Sequence, residues 1–214
     1  MPIYSFIHSS GDVIAKVEDS SFENNGNYCD ISECNPLPDK VEDGDCLIAV
    51  RLLDEACDDG GELDLDDGFD IDEDDEGNLN VTIENSSANG NFDESFDFDE
   101  AGDGRLEATF ESVNANDNVN EGLKCSSEGA GGDNDVSVTV IDSVVNNNLD
   151  NGMQFEAEED DEGIITVVIE NTVSVGNRKE DLKVEQKVED PKGTLSIDED
   201  SDIGEVKTDN VDQV

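Results

Sequence analysis

The sequence predicts an all-β fold, a parallel solenoid in which successive turns of the chain stack on one another. Apolar and polar residues alternate in strand-like runs that close on Ile83, Phe110, Val140 and Ile169, at spacings of 27 to 30 residues (110−83, 140−110, 169−140). Eight residues after each closing residue stands an asparagine. An acidic chain with few aromatic residues is also typical of disorder, but regular alternation argues against that alternative for the middle of the chain.

The N-terminal region repeats poorly. We expect residues 1–11 to form a tail and residues 12–77 to form degenerate coils, one at Val13–Val17 and one running from Ile48–Leu52 to Phe69–Ile71. Four of the five cysteines lie here and permit disulfides in an oxidising compartment without requiring them: Cys29, Cys34, Cys46 and Cys57. The fifth, Cys125, falls in an apolar column, where a buried free thiol is the expected state.

Residues 78–206 contain the regular coils. The first strand of each coil carries the inward residues Leu79-Val81-Ile83, Leu106-Ala108-Phe110, Val136-Val138-Val140, Ile165-Val167-Ile169 and, truncated, Leu195-Ile197. The second strand carries Phe69-Ile71, Phe96-Phe98, Leu123-Cys125, Met153-Phe155 and Leu182-Val184. Acidic and glycine-rich turns close each coil. Residues 207–214 are expected to form a disordered tail.

Between the two strands lies a polar stretch that contains the recurring asparagine. The column comprises Asn25, Asn91, Asn118, Asn148 and Asn177, and a second column two residues earlier comprises Asn89, Asn116 and Asn146. Asparagine tolerates a left-handed bend, and its amide bonds to neighbours above and below. The sequence therefore predicts a structural asparagine ladder at one corner of the solenoid, in preference to a catalytic role.

The repeat resembles the right-handed parallel β-helix family with pectate-lyase-like repeats. The resemblance is carried by N-x-x-x-G elements followed by alternating apolar residues, from Asn118 to Gly122 and from Asn148 to Gly152. Ser95 and Asp181 stand where the glycine is expected in the other two units. The resemblance covers most of residues 12–206 and implies a right-handed β-helix of about six coils, similar to acidic segments of large secreted or surface proteins. A shared fold does not by itself imply an activity.

The charge of the chain excludes some partners. The 59 Asp and Glu residues against 11 Lys and Arg give a formal net charge of −48. Phosphate binding needs clustered Lys and Arg, so nucleic acid is not an expected partner, and an anionic membrane surface is disfavoured for the same reason. No stretch approaches the roughly 18 apolar residues of a membrane span. Cations are expected to stabilise the folded state.

Acids also recur on the outward positions of the second strand. Asp70, Asp72, Asp97 and Asp99 are expected to lie on adjacent rungs about 4.8 Å apart, where a hard ion such as Ca²⁺ would relieve their repulsion. The same outward column continues to Lys124. In polysaccharide lyases of the family that this repeat resembles, calcium on carboxylates and a nearby basic residue share the abstraction of a proton from a uronic acid. Lys124 is therefore the one catalytic candidate.

The sequence favours a non-enzymatic extracellular or cell-surface module of structural or adhesion type, with loose divalent-cation binding. Its expected partners are a polysaccharide or another surface protein, and no resident cofactor other than Ca²⁺ is implied. The alternative is a carbohydrate-active β-helix that binds or cleaves a polysaccharide, although a chain this anionic should repel a polyuronate. The first residues lack the features of a signal peptide, so we expect a fragment or an export signal outside this chain.

Overall fold

The computed structural model describes residues 3–7, 12–23, 67–73, 77–102, 104–127, 135–157 and 163–214. These residues contain β-strands and no helix. The strands are β1 (Ile3–Ile7), β2 (Val13–Glu18), β3 (Ser21–Glu23), β4 (Phe69–Glu73), β5 (Leu79–Glu84), β6 (Ser87–Asn89), β7 (Phe96–Glu100), β8 (Leu106–Glu111), β9 (Leu123–Ser127), β10 (Val136–Ile141), β11 (Met153–Ala157), β12 (Ile165–Glu170), β13 (Val173–Ser174), β14 (Leu182–Gln186), β15 (Gly193–Ile197), β16 (Asp202–Ile203), β17 (Val206–Asp209) and β18 (Val211–Gln213).

The strands form three parallel faces of one solenoid. Sheet A has the order β1-β4-β7-β9-β11-β14-β17, and sheet B has the order β18-β15-β12-β10-β8-β5-β2. Sheet C is narrow: the pairs β3-β6 and β13-β16 are joined by isolated bridges from Ser87 through Asn114 and Val144 to Val173. Within a turn the chain passes from sheet B to sheet C and then to sheet A, so the predicted parallel β-solenoid is confirmed.

Four regular turns run from β5 to β15, fewer than the six coils predicted. Asparagines in equivalent positions are separated by 27, 30 and 29 residues in successive turns. The turn before them is irregular, because β2 pairs directly with β5 although their equivalent residues are 66 apart. The coil predicted at Ile48–Leu52 lies outside the described part of the chain.

The core is a stack of in-register apolar side chains between sheets A and B. Leu79, Leu106, Val136 and Ile165 pair in one column of sheet B and each is 0% exposed. The corresponding inward positions of sheet A are confirmed as well, from Phe69 to Val184. Parallel pairing places like residues above one another, so a single alternating pattern, repeated once per turn, is sufficient to build a continuous core.

Two columns of left-handed residues make the corners. The first directly follows five strands of sheet B, β2, β5, β8, β10 and β12, and comprises Asp19, Asn85, Ser112, Asp142 and Asn171, with φ between 45° and 57°. The second precedes each ladder asparagine and comprises Gly90, Asp117, Asn147 and Gly176, with φ between 59° and 74°. Glycine, asparagine and aspartate adopt this conformation most readily, which accounts for their recurrence here.

Both ends of the chain differ from the sequence prediction. Residues 3–7, expected to lie in a tail, form β1 and pair with β4. Residues 207–214, expected to be disordered, contribute to β17 and β18, which pair with β14 and β15. Val211 is 7% exposed and is the only buried residue of β18, so this short strand carries too few apolar residues to show an alternating pattern.

Candidate functional site

A hydrogen-bonded asparagine ladder runs through the corner between sheets C and A. The backbone N–H and the side-chain Nδ2 of Asn91 both donate to Oδ1 of Asn118, and the same two bonds recur from Asn118 to Asn148 and from Asn148 to Asn177, at 2.8 to 3.0 Å. Asn91, Asn118 and Asn148 are at most 1% exposed. Asn25 lies outside the described residues. The bonds satisfy buried backbone groups, which is a structural role.

The two positions that depart from the glycine motif both serve this ladder. Asp181 caps its end, since Oδ1 accepts from the backbone N–H and Nδ2 of Asn177 at 3.0 and 2.8 Å. Ser95 accepts from Nδ2 of Asn118 at 2.6 Å and donates to the carbonyl of Ala88. At Gly152 a Cβ would lie 2.4 Å from Nδ2 of Asn177, so the ladder passes too close there for a side chain.

A second asparagine ladder runs beside the first, in the opposite direction. The backbone N–H and Nδ2 of Asn116 donate to Oδ1 of Asn89, and the backbone N–H of Asn146 donates to Oδ1 of Asn116. Nδ2 of Asn89 donates to the carboxylate of Glu23 at 3.1 Å. Partial burial raises the pKa of Glu23, but the hydrogen bonds that it accepts outweigh burial and leave the pKa lowered. Each ladder thus ends on a carboxylate.

Three buried acids form a close group at the start of sheet A. Asp70 and Asp97 are paired residues of β4 and β7, and Asp67 lies two residues before β4. One carboxylate oxygen of each lies within 4.8 Å of the others. Side chains alternate along β4 and β7, so Asp70 and Asp97 point away from the core. They are nevertheless only 7% and 8% exposed, and Asp67 is 3% exposed. This burial distinguishes them from a solvated acidic face.

A second group shares Asp67. It contains Asp67, Asp93 and Glu94, again with one oxygen of each within 4.8 Å of the others. Oδ1 of Asp67 accepts the backbone N–H of Glu94 at 2.8 Å, which fixes the segment before β7 against the segment before β4. Burial is the main cause that raises the pKa of Glu94 well above its usual value, and the charges of Asp97, Asp93 and Asp67 raise it further.

Lys124 lies on the next rung and is held by three carboxylates. Its Nζ is 2.6 Å from Oδ2 of Asp97, 3.5 Å from Oδ2 of Asp99 and 3.8 Å from Oε1 of Glu94. Burial lowers the pKa of Lys124, but these negative charges outweigh burial and raise the pKa above its usual range. Burial likewise raises the pKa of Asp97, which the charge of Lys124 only partly offsets. Lys124 therefore remains an ammonium ion.

The sequence-derived metal candidates fall into two places. Asp70 and Asp97 belong to the close group, whereas Asp72 and Asp99 do not, although they are paired residues of the same two strands. Asp99 instead accepts a hydrogen bond from Ser126. Sequence reasoning missed Asp67 and Glu94. A signal existed, because acids recur two residues before Phe69, Phe96 and Leu123, as Asp67, Glu94 and Glu121.

Glu121 continues this buried acidic column and gives a pH prediction. Burial raises the pKa of Glu121, the charge of Asp150 raises it further, and the hydrogen bond from Asn151 and the charge of Lys124 oppose both. A carboxyl with a raised folded-state pKa stabilises the protein while protonated, below the unfolded value of about 4.3, and this contribution is lost as pH rises through the folded pKa.

Glu121→Gln is therefore expected to stabilise the protein at pH 8 by about 1 kcal/mol, because it removes a buried charge while keeping an acceptor for Asn151. The stability gain of Glu121→Gln over wild type should be smaller at pH 5, because Glu121 is then partly protonated and its buried charge is partly removed in the wild type. Thermal melts at both pH values test this. Glu107→Gln, which removes one charge from an exposed position of β8, is the control, and an equal gain in both variants would contradict the prediction.

Among the described residues, Cys125 belongs to no group that could hold a metal ion. The thiol of Cys125 is free and fully buried, and burial raises its pKa. Cys29, Cys34, Cys46 and Cys57 lie outside the described residues. Among the residues that the structure describes, no helix is long and apolar enough to cross a membrane.

Comparison with known proteins yields no match. No protein-family model fits the chain, and no curated protein or solved structure shows significant similarity to it.

Proposed function

We propose that the chain is a non-enzymatic extracellular or cell-surface β-helix module, of structural or adhesion type, whose acidic surface binds divalent cations loosely. The observation that carries the proposal is the pair of asparagine ladders joined to an uninterrupted core. The first ladder and the core join successive regular turns through largely buried contacts, and the second ladder adds partly buried ones. Such stacking yields an extended, stiff scaffold with long outward faces, which suits a spacer or a binding surface.

The charge of the protein supports the cation part of the proposal. A formal net charge of −48 on a 23.1 kDa chain repels itself in the folded state, and divalent cations reduce that repulsion by neutralising surface carboxylates. Millimolar calcium, as found outside cells, is sufficient for low-affinity carboxylate sites. This is the reason for proposing a secreted or surface location, with a polysaccharide or another surface protein as partner. The asparagine-to-glycine spacing supports a pectate-lyase-like repeat.

The setting of Lys124 argues against the lyase alternative. A general base must lose its proton near the working pH, whereas Asp97, Asp99 and Glu94 raise the pKa of Lys124 above its usual range. The same three carboxylates repel a uronate substrate that approaches the ammonium group. Lys124 is accordingly proposed as a structural counter-ion.

Thermal melts and a substrate screen test the proposed function together. Calcium at 1 to 10 mM is expected to raise the melting temperature gradually (a range set by the extracellular level of ~1 mM), and 0.5 M KCl should reduce this response by screening (Debye length about 4 Å). EDTA should leave the protein at its lower, calcium-free value. Uronate polymers incubated with the protein should give no unsaturated product by ultraviolet absorbance. Absence of any calcium response would remove cations from the proposal, and turnover that Lys124→Ala abolishes would replace it with a lyase.

A further inference from the structure

We propose that Asp67, Asp70 and Asp97 form one discrete binding site for a hard divalent cation of the size of calcium. This inference rests on the proposed function and deepens it. It assigns cation binding to three named residues, whereas the proposed function spreads cation binding over the acidic surface. It differs from the sequence-derived candidates by including Asp67 and by leaving out Asp72 and Asp99.

The spacing of the three oxygens fits calcium. Calcium–oxygen distances of about 2.3 to 2.6 Å place ligands on opposite sides of the ion about 4.6 to 5.2 Å apart and adjacent ligands closer. The oxygens of Asp67, Asp70 and Asp97 lie within 4.8 Å of one another, so a single ion can reach all three. Magnesium demands near-ideal octahedral geometry and gives up its bound waters reluctantly, so a site of three protein carboxylates suits calcium better.

One oxygen of the group is buried and has no hydrogen-bond partner among the described residues. Oδ1 of Asp97 is inaccessible to solvent and unbonded, while Oδ2 of the same carboxylate is bonded to Lys124 at 2.6 Å. A buried carboxylate oxygen without a partner is costly, because desolvation is not compensated. A cation on Oδ1 supplies the missing partner without displacing Lys124 from Oδ2.

Burial separates this site from the rest of the acidic surface. Asp67, Asp70 and Asp97 are 3%, 7% and 8% exposed, so their mutual repulsion is screened less by solvent than repulsion between exposed acids. Lys124 supplies one positive charge to a neighbourhood that also contains Glu94 and Asp99. Carboxyl groups therefore outnumber the ammonium group among these named side chains, which favours a divalent ion.

Calcium titration by calorimetry in 0.15 M KCl, where diffuse binding is screened, tests the site on the full chain. The wild-type protein should bind one calcium ion in a saturable step, with magnesium at least about tenfold weaker because of its stricter geometry. Asp97→Asn should weaken calcium binding at least about tenfold, since it removes one charged ligand (about 1.4 kcal/mol per factor of ten). Asp70→Asn should do the same, and Glu107→Gln should leave the affinity unchanged.

Folding is followed in the same samples. Asp97→Asn should lose the saturable calcium-induced rise in melting temperature, and Glu107→Gln should keep it. A calcium response that is the same in Asp97→Asn, Asp70→Asn and Glu107→Gln would overturn the site while leaving loose binding intact. A saturable calcium step with no further gradual rise in melting temperature at higher calcium would support the site. It would contradict only the proposed diffuse binding.

Discussion

Asn118→Ala is expected to lower the free energy of unfolding by about 4 kcal/mol, because each buried polar group left without a partner costs about 1–3 kcal/mol. The substitution removes the acceptor of both the backbone N–H and Nδ2 of Asn91, and it removes the donor to Ser95 and Asn148. Asn118 is 0% exposed, so water does not replace these bonds. For a chain of this length the melting temperature should fall by roughly 10 °C.

Asn116→Ala is the matched control for the ladder prediction. It removes the same side chain from the second ladder, where Asn116 is only partly buried and water can take over its bonds. The expected loss is about 1 kcal/mol. Urea unfolding of both variants, followed by circular dichroism, measures the difference. Equal losses would mean that the buried ladder contributes no more to stability than the outer one.

Phe98→Ala is expected to cost about 3–5 kcal/mol, the usual range for a buried phenylalanine. The Phe98 ring is fully buried, stacks on Phe110 of sheet B at 5.7 Å between centroids, and meets the Phe69 ring edge-on at 6.0 Å. Removing it opens a cavity between the two sheets in the part of the core where aromatic rings are concentrated.

The loss should also be local, because each turn of a solenoid contacts only its neighbours. Hydrogen exchange in Phe98→Ala should accelerate most in β4, β7 and β8 and least in β14. Ile14→Ala, at a position 81% exposed, should change the free energy of unfolding by less than about 0.5 kcal/mol. Uniform acceleration over all strands would show that the stack unfolds as one unit.

The regular coils could be predicted from the sequence because pairing in register converts one alternating pattern into a column. Leu79-Val81-Ile83 and its equivalents recur at the same positions of each turn, and the structure buries all of those in β5, β8, β10 and β12. The irregular first turn could not be predicted. The apolar alternation at Ile48–Leu52 is compatible with a strand, but alternation alone does not indicate which strand pairs with which. β2 pairs with β5 across 66 residues.

The acidic site was predictable only in part, for a similar reason. Strand alternation places Asp70 and Asp97 beside each other on the same side of sheet A. Asp67 and Glu94 recur at equivalent positions before β4 and β7, but strand alternation does not extend there to indicate where they point. Their approach depends on the bond between the Glu94 N–H and Asp67. The burial of these outward-facing acids depends on side chains from neighbouring turns. The alternation of apolar and polar residues along one strand does not predict it.

The opposite directions of the two asparagine ladders have a consequence for chain length. Side-chain amides aligned head to tail would add their dipoles along the solenoid axis, and the sum would grow with every turn. Here one column points towards the C-terminal end and its neighbour towards the N-terminal end, so their dipoles largely cancel. Duplicating or deleting a whole coil is therefore expected to change the electrostatics at the ends of the solenoid very little.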